Sequence, residues 1–264
     1  MNNTFNLQRF GLLFKKSLLE RPVQMFGFTG MLLALVLILY VVAKSLMGYN
    51  AAQNLSFIWG LAGGGCFLAS FVFSYFSSNA TGSSYLTLPA SHFEKWLCGI
   101  LIVGVLYPAT FMIFFRIMDA SFVALFHKSL DPAGPFYKQQ YESVYLFSFN
   151  GIVAGKVYPM FLFLAGAMLI GSLYFNKVSF IKVSIVICVI CIGSFGLNWL
   201  FAKLIFGTIS DAALFNHVSI PVGKEEGSIE LPERVGRIFD FSLKYIFTLL
   251  LWIFAFIRLR EKEF

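Results

Sequence analysis

Six long apolar runs fill most of this chain: Phe26–Met47, Ser56–Phe76, Leu97–Phe126, Val157–Phe175, Val183–Ala202 and Phe239–Ile257. A bilayer's hydrocarbon layer is about 30 Å thick, so a helix needs roughly 20 mainly apolar residues to cross it. Each run has about that length. In lipid every backbone amide and carbonyl must be bonded within the chain, which leaves helices or closed barrels. The runs lack the two-residue alternation of a barrel strand. The sequence therefore predicts an all-α polytopic membrane protein, a single transmembrane domain over residues 1–264 with outer loops at 127–156 and 203–237. With 58 % hydrophobic and 12 % charged residues and a mean hydropathy of +0.78, no segment remains that could bury a soluble catalytic core.

The net charge of +7 is not that of a nucleic-acid binder, because the basic residues lie beside the apolar runs and read as topology. With the amino terminus in the cytosol, Arg9, Lys15, Lys16, Arg21, Lys95, Lys177, Lys182, Arg258, Arg260 and Lys262 fall inside, against Glu20, Glu94, Glu261 and Glu263. On the other side Asp131, Glu142, Asp211, Glu225, Glu226, Glu230, Glu233 and Asp240 nearly cancel the cations. Both termini are expected in the cytosol. The four cysteines, Cys66, Cys98, Cys188 and Cys191, lie in or at the edge of apolar runs and suggest small packing residues; no disulfide framework is indicated. No signal-peptide pattern precedes the first run.

Residues 2–24 form an amphipathic segment. Leu7, Phe10, Phe14 and Leu18 follow helical spacing along one arc, with Arg9, Lys16 and Glu20 on the other. Such a helix rests in the membrane interface with its basic side toward head groups or a cytosolic partner, and Pro22 ends it. In the second run Gly60 and Gly64 make a small-x-x-x-small face, serving either packing within the chain or close approach of another helix. Pro108 predicts a kink in the third run, and Pro159 stands in the first turn of the fourth. Between the last two runs, residues 218–222 and 228–231 suggest a small strand pair around a Gly223–Gly227 turn. Leu214 and Phe215 ahead of it are candidates to dip toward lipid.

The connection between runs two and three has a physical logic of its own. Ser91 and Glu94 have capping-box spacing, so the hydroxyl can accept a first-turn amide and the carboxylate can reach back to the Ser91 amide. Pro89 stops a helix arriving from run two. Ahead of it Tyr85-Leu86-Thr87-Leu88 is an apolar segment that needs a cover, membrane or protein. Here Leu88-Pro89-Ala90-Ser91-His92-Phe93-Glu94-Lys95 resembles the Leu-Pro-x-Ser motif of type-2 ABC transporter permeases, the membrane subunits of many bacterial exporters. The layout agrees: Phe5-Asn6-Leu7-Gln8-Arg9-Phe10 ahead of six spans, and a basic tail, Arg258-Leu259-Arg260-Glu261-Lys262.

The resemblance implies a permease of the bacterial inner membrane, paired with a second copy or a paralogue. It also implies a coupling helix between spans two and three that docks on a separate nucleotide-binding ATPase subunit. Carried over, Leu88, Pro89, Ser91, His92, Phe93, Glu94 and Lys95 form or brace the docking surface, with Phe93 as an apolar anchor. Glu94 is alternatively spent on the helix cap, and Lys95 marks only the inner interface. ATP and magnesium would be held by the partner. The chain's nearest approach to a phosphate loop, Gly151-Ile152-Val153-Ala154-Gly155-Lys156, is one residue short and is followed by Val157.

Arg116 and Asp119 are opposite charges three residues apart within a span. They suggest an intrahelical ion pair near the outer interface or an outer-gate contact. His92, His127 and His217 have no metal-ligand spacing, so neither a metal nor a catalytic residue is expected. The leading expectation is a transport subunit, not itself an enzyme, that moves a hydrophobic or amphipathic substrate. The alternatives are a transporter or channel not driven by ATP, and a membrane immunity or assembly factor acting through its outer loops.

Overall fold

A computed structural model describes residues 5–20, 22–77, 79–175, 178–212, 217–222, 225–230 and 232–262. The described chain has six helices long and apolar enough to cross a membrane: Met25–Met47, Tyr49–Val72, His92–Ser129, Ile152–Tyr174, Ser179–Phe206 and Glu233–Arg260. By the length and composition of these helices it is a multi-pass helical membrane protein. Helix α1 (Leu7–Leu19) precedes span one, which contains α2 (Phe28–Met47). Span two joins α3 (Tyr49–Ile58) to α4 (Gly64–Val72), and α5 (Asn79–Leu86) leads to the elbow before span three. Span three joins α6 (His92–Ile100) to α7 (Tyr107–Ser129). A short α8 (Tyr137–Ser143) crosses the loop between spans three and four, α9 (Ile152–Tyr174) and α10 (Ser179–Phe206) are spans four and five, and span six joins α11 (Glu233–Phe241) to α12 (Phe247–Arg260). Spans one, two, three and six each contain one turn of π-helix, at Val23–Gly27, Trp59–Gly63, Leu101–Leu106 and Ser242–Ile246.

Several boundaries differ from the sequence reading. The polar stretch 48–55 between the first two apolar runs is mostly helix. Gly48, at φ 88°, makes the whole turn in a conformation that an L side chain resists, and Tyr49 already begins α3. Span four starts at Ile152, so Pro159 stands inside the helix rather than in its first turn; the carbonyl one turn earlier loses its amide partner. At Pro108, where the sequence predicts a kink, the helix changes from the π-turn Leu101–Leu106 to α7, with the proline in the first turn of α7. The strand pair is present, with β2 (His217–Val222) antiparallel to β3 (Glu225–Glu230) and Val218 opposite Ile229. A two-residue strand β1 (Asp211–Ala212), not foreseen, adds to the other edge of β2. The second strand starts at Glu225 rather than 228, so residues 225–227, expected in the turn, pair with β2; residues 223–224, like Leu214 and Phe215, lie outside the described residues.

The core runs through spans one to four and takes in Trp252, Ala255 and Leu259 of span six. Tyr40, Phe57, Leu61, Tyr107, Phe111, Phe115, Leu169 and Leu173 are at most 2 % exposed. By contrast, α10 buries only Val183 and Ala202. Its outward Ile, Val, Leu and Phe side chains would be intolerable in water and match hydrocarbon. Cys188 and Cys191 belong to that outward surface, so they are not the packing residues the sequence suggested, whereas Cys66 and Cys98 are buried.

Candidate functional site

The site builds outward from one carboxylate. Ser91 has extended backbone, and its Oγ accepts the Glu94 amide at 3.2 Å while the Ser91 amide donates to Glu94 Oε2 at 2.8 Å, so the expected capping box starts α6. That leaves Glu94 fully buried. A buried charge is tolerable only when it is paired and bonded, and α1 supplies the rest. Arg9 donates from Nε to Oε2 at 2.8 Å and from Nη2 to Oε1 at 2.7 Å, a two-pronged pairing with matched planes. The amide of Asn6 donates to Oε1 at 2.9 Å. The Asn6 side chain in turn caps α1, accepting from the amides of Gln8 and Arg9. The hydrogen bond to Glu94 pushes the Arg9 guanidinium pKa above its ordinary value. Arg9, which its spacing places on the polar arc, thus turns its fork onto the buried Glu94 while its side chain stays 28 % exposed.

Lys95 is 1 % exposed, and its Nζ donates to the carbonyl of Leu86 at 2.8 Å, 5.6 Å from the Tyr85 ring centroid. The ammonium thus closes the carboxyl end of α5, where unsatisfied carbonyls concentrate negative charge. Tyr85 stacks on Tyr75 at 4.6 Å, and burial raises the Tyr85 pKa well above the usual phenol value. Glu94 and Lys95, both expected to form or brace the docking surface, are interior braces. Ser91 is buried with them, Leu88 packs half-buried against the core, and Pro89 and Thr87 are exposed. His92 is half-buried, with Nδ1 enclosed and without a hydrogen-bond partner among the described residues. Phe93 is 42 % exposed; its ring meets Phe5 and Phe256 in T-shaped contacts and lies tilted against Trp96. The elbow thus presents Thr87, Pro89 and Phe93 outward over a polar brace.

On α1, Phe10, Phe14 and Leu18 pack half-buried against the core as the spacing implies, while Leu7 is 73 % exposed and Lys16 lies 4.0 Å from Glu20. The most buried apolar residue of this helix is Leu13, which the sequence reading missed. Asn6 was missed as well, although Asn directly ahead of a periodic apolar stretch is a helix-start signal. Gly60 and Gly64 are used inside the chain. A Cβ on Gly60 would collide with Phe111 and Val36, and one on Gly64 with the Tyr107 hydroxyl.

At the opposite end of span three, Arg116 and Asp119 do not form the expected ion pair. Asp119 is fully buried and accepts three neutral donors: the Tyr40 hydroxyl at 2.9 Å and Gln53 Nε2 at 2.8 Å on Oδ1, and the Phe147 amide at 2.8 Å on Oδ2. Arg116 lies over the Phe149 ring, 4.3 Å from its centroid. The reason is directional: the first outer loop folds back so that Phe147 and Phe149 gather around Phe57 and Phe115. Its backbone then meets Asp119 before any cation can. No group of three or more His, Cys, Asp or Glu that could hold a metal occurs among the described residues.

No family model, curated protein or solved structure matches this chain. The elbow and its braces are therefore interpreted from their own geometry and from the motif resemblance alone.

Proposed function

We propose that this chain is the membrane subunit of an ATP-driven exporter of the type-2 ABC permease kind. In this reading it lies in the bacterial inner membrane with both termini cytosolic, works beside a second copy or a paralogue, and moves a hydrophobic or amphipathic substrate. A separate ATPase subunit holds ATP and magnesium and presses on the elbow. The observation that carries the reading is the braced elbow. Thr87, Pro89 and Phe93 face outward on a loop that Glu94 ties to Arg9 and Asn6, and Lys95 ties to Leu86. A surface loop that serves only as a connector needs no buried carboxylate tied to a distant helix behind it, whereas a loop that transmits force must not yield. The half-exposed Phe93 ring is suited to a hydrophobic pocket on a partner.

Two measurements test this. The protein, purified from its native membrane, should carry a nucleotide-binding subunit, and Phe93→Asp should strip that subunit away with the chain still folded. If Phe93→Asp leaves assembly and ATPase stimulation unchanged, the docking reading is wrong.

A further inference from the structure

We infer that spans two and three contain a built-in joint, formed where their π-turns are coupled by the Tyr107 hydroxyl on the Gly60 carbonyl, about which the inner and outer ends of the bundle move relative to each other. The bond is buried and joins the residue just after the π-turn Leu101–Leu106 to one within the π-turn Trp59–Gly63. A π-turn holds one residue more than the α-helix around it and has poorer hydrogen-bond geometry, so it is the place where a helix can lose or pass on a residue of register. Pro108 weakens the same level of span three, because it has no amide to offer the carbonyl of Gly104. Gly60, Gly63, Gly64 and Gly65 weaken the same level of span two. The surfaces nevertheless fit closely: a Cβ on Gly64 would strike the Tyr107 oxygen, and one on Gly65 the Phe161 ring. The contact is therefore tightly packed sideways and soft along its axis.

On either side of this level the spans are clamped. Asp119 ties α2, α3 and α7 to the first outer loop. At the other end Glu94 ties α6 to α1, and Trp96 donates to the carbonyl of Trp252 at 2.9 Å, binding α6 to α12. Two rigid ends with soft turns between them can exchange a π-turn for an α-turn, which rotates one end against the other by about 100° per residue of register and advances it about 1.5 Å. Tyr107 is the positioning residue, since its hydroxyl holds the two soft turns in one register. This inference does not depend on what drives the motion, so it can fail while an ATPase partner is found, and the reverse.

The test uses the purified chain in lipid nanodiscs with nitroxide labels in Phe93→Cys and Leu125→Cys, flanking the joint on span three, with Cys188 and Cys191 changed to Ala. Double electron–electron resonance should give two distances or one broad distribution. Deleting Val105, which removes the extra residue of the π-turn, should collapse this to one narrow distance. A single narrow distance in the parent protein overturns the joint. Hydrogen exchange supplies the milder variant: Tyr107→Phe, which keeps the ring, should speed exchange at 59–63 by about tenfold over the unsubstituted chain and leave 111–117 unchanged. Unaltered exchange at 59–63 removes Tyr107 from the joint even if the deletion does not fold.

Discussion

At the scale of single residues, the fate of a charge here is decided by who reaches it first. Glu94 is three residues from the Ser91 cap and one from Lys95, yet its strongest partner is Arg9, 85 positions away. Lys95 turns instead to a helix-end carbonyl. Because Glu94 is fully buried, removing its cation leaves an uncompensated charge, which is worse than removing both members of the pair. Arg9→Ala should therefore lower the thermal midpoint of the detergent-purified protein more than Arg9→Ala combined with Glu94→Gln. Arg9→Lys should rescue only part of the loss, since an ammonium cannot reproduce the fork. A thermal-shift series on these variants and on Glu94→Gln alone checks this, and strictly additive effects would mean that the two side chains act independently.

Among the elements, the loop between spans three and four is tied to the bundle by the rings of Phe147 and Phe149, by Gln53 on the Tyr145 carbonyl and by one buried carboxylate. Phe147 brings its backbone amide to Asp119 Oδ2 while Tyr40 and Gln53 occupy Oδ1. Asp119→Asn keeps an oxygen for Tyr40 and Gln53 but turns an NH2 group toward the Phe147 amide. An unsatisfied buried donor costs about 1–3 kcal/mol. The expected outcome is a chain with intact spans whose segment 144–149 becomes accessible to protease; limited proteolysis followed by mass spectrometry reads this directly. Much of the element layout was legible beforehand: the six spans from apolar length, the start of span three from Ser91 and Glu94, and the outer hairpin from its alternation and glycines. What escaped notice has a common physical cause. Arg9 sits on a polar arc and Asp119 next to a cation, and local spacing gave no hint that distant elements would supply better partners. The π-turns leave no mark at all in hydrophobic period, because one extra residue in a uniformly apolar run changes nothing except the fit between helices.

On the scale of the whole molecule, the proposed function requires one orientation, with the elbow end in the cytosol. The elbow, α1 and the carboxyl tail share an end: α1 meets the elbow at Glu94, and Lys262 donates to the carbonyl of Leu173 near the close of span four. Six crossings return the chain to the side on which it began, so the outer loop of α8 and the small sheet share the opposite end. The short connections at the elbow end are the basic ones, which is the pattern the proposed orientation calls for. In intact cells, with the four native cysteines replaced, Ser143→Cys should react with a membrane-impermeant maleimide, whereas Thr87→Cys should react only after permeabilisation. Both sites are exposed, so reactivity measures sidedness rather than burial. The reverse pattern would put the elbow outside, where no ATP-hydrolysing subunit could press on it, and would leave the Asp119 end to face the cytosol.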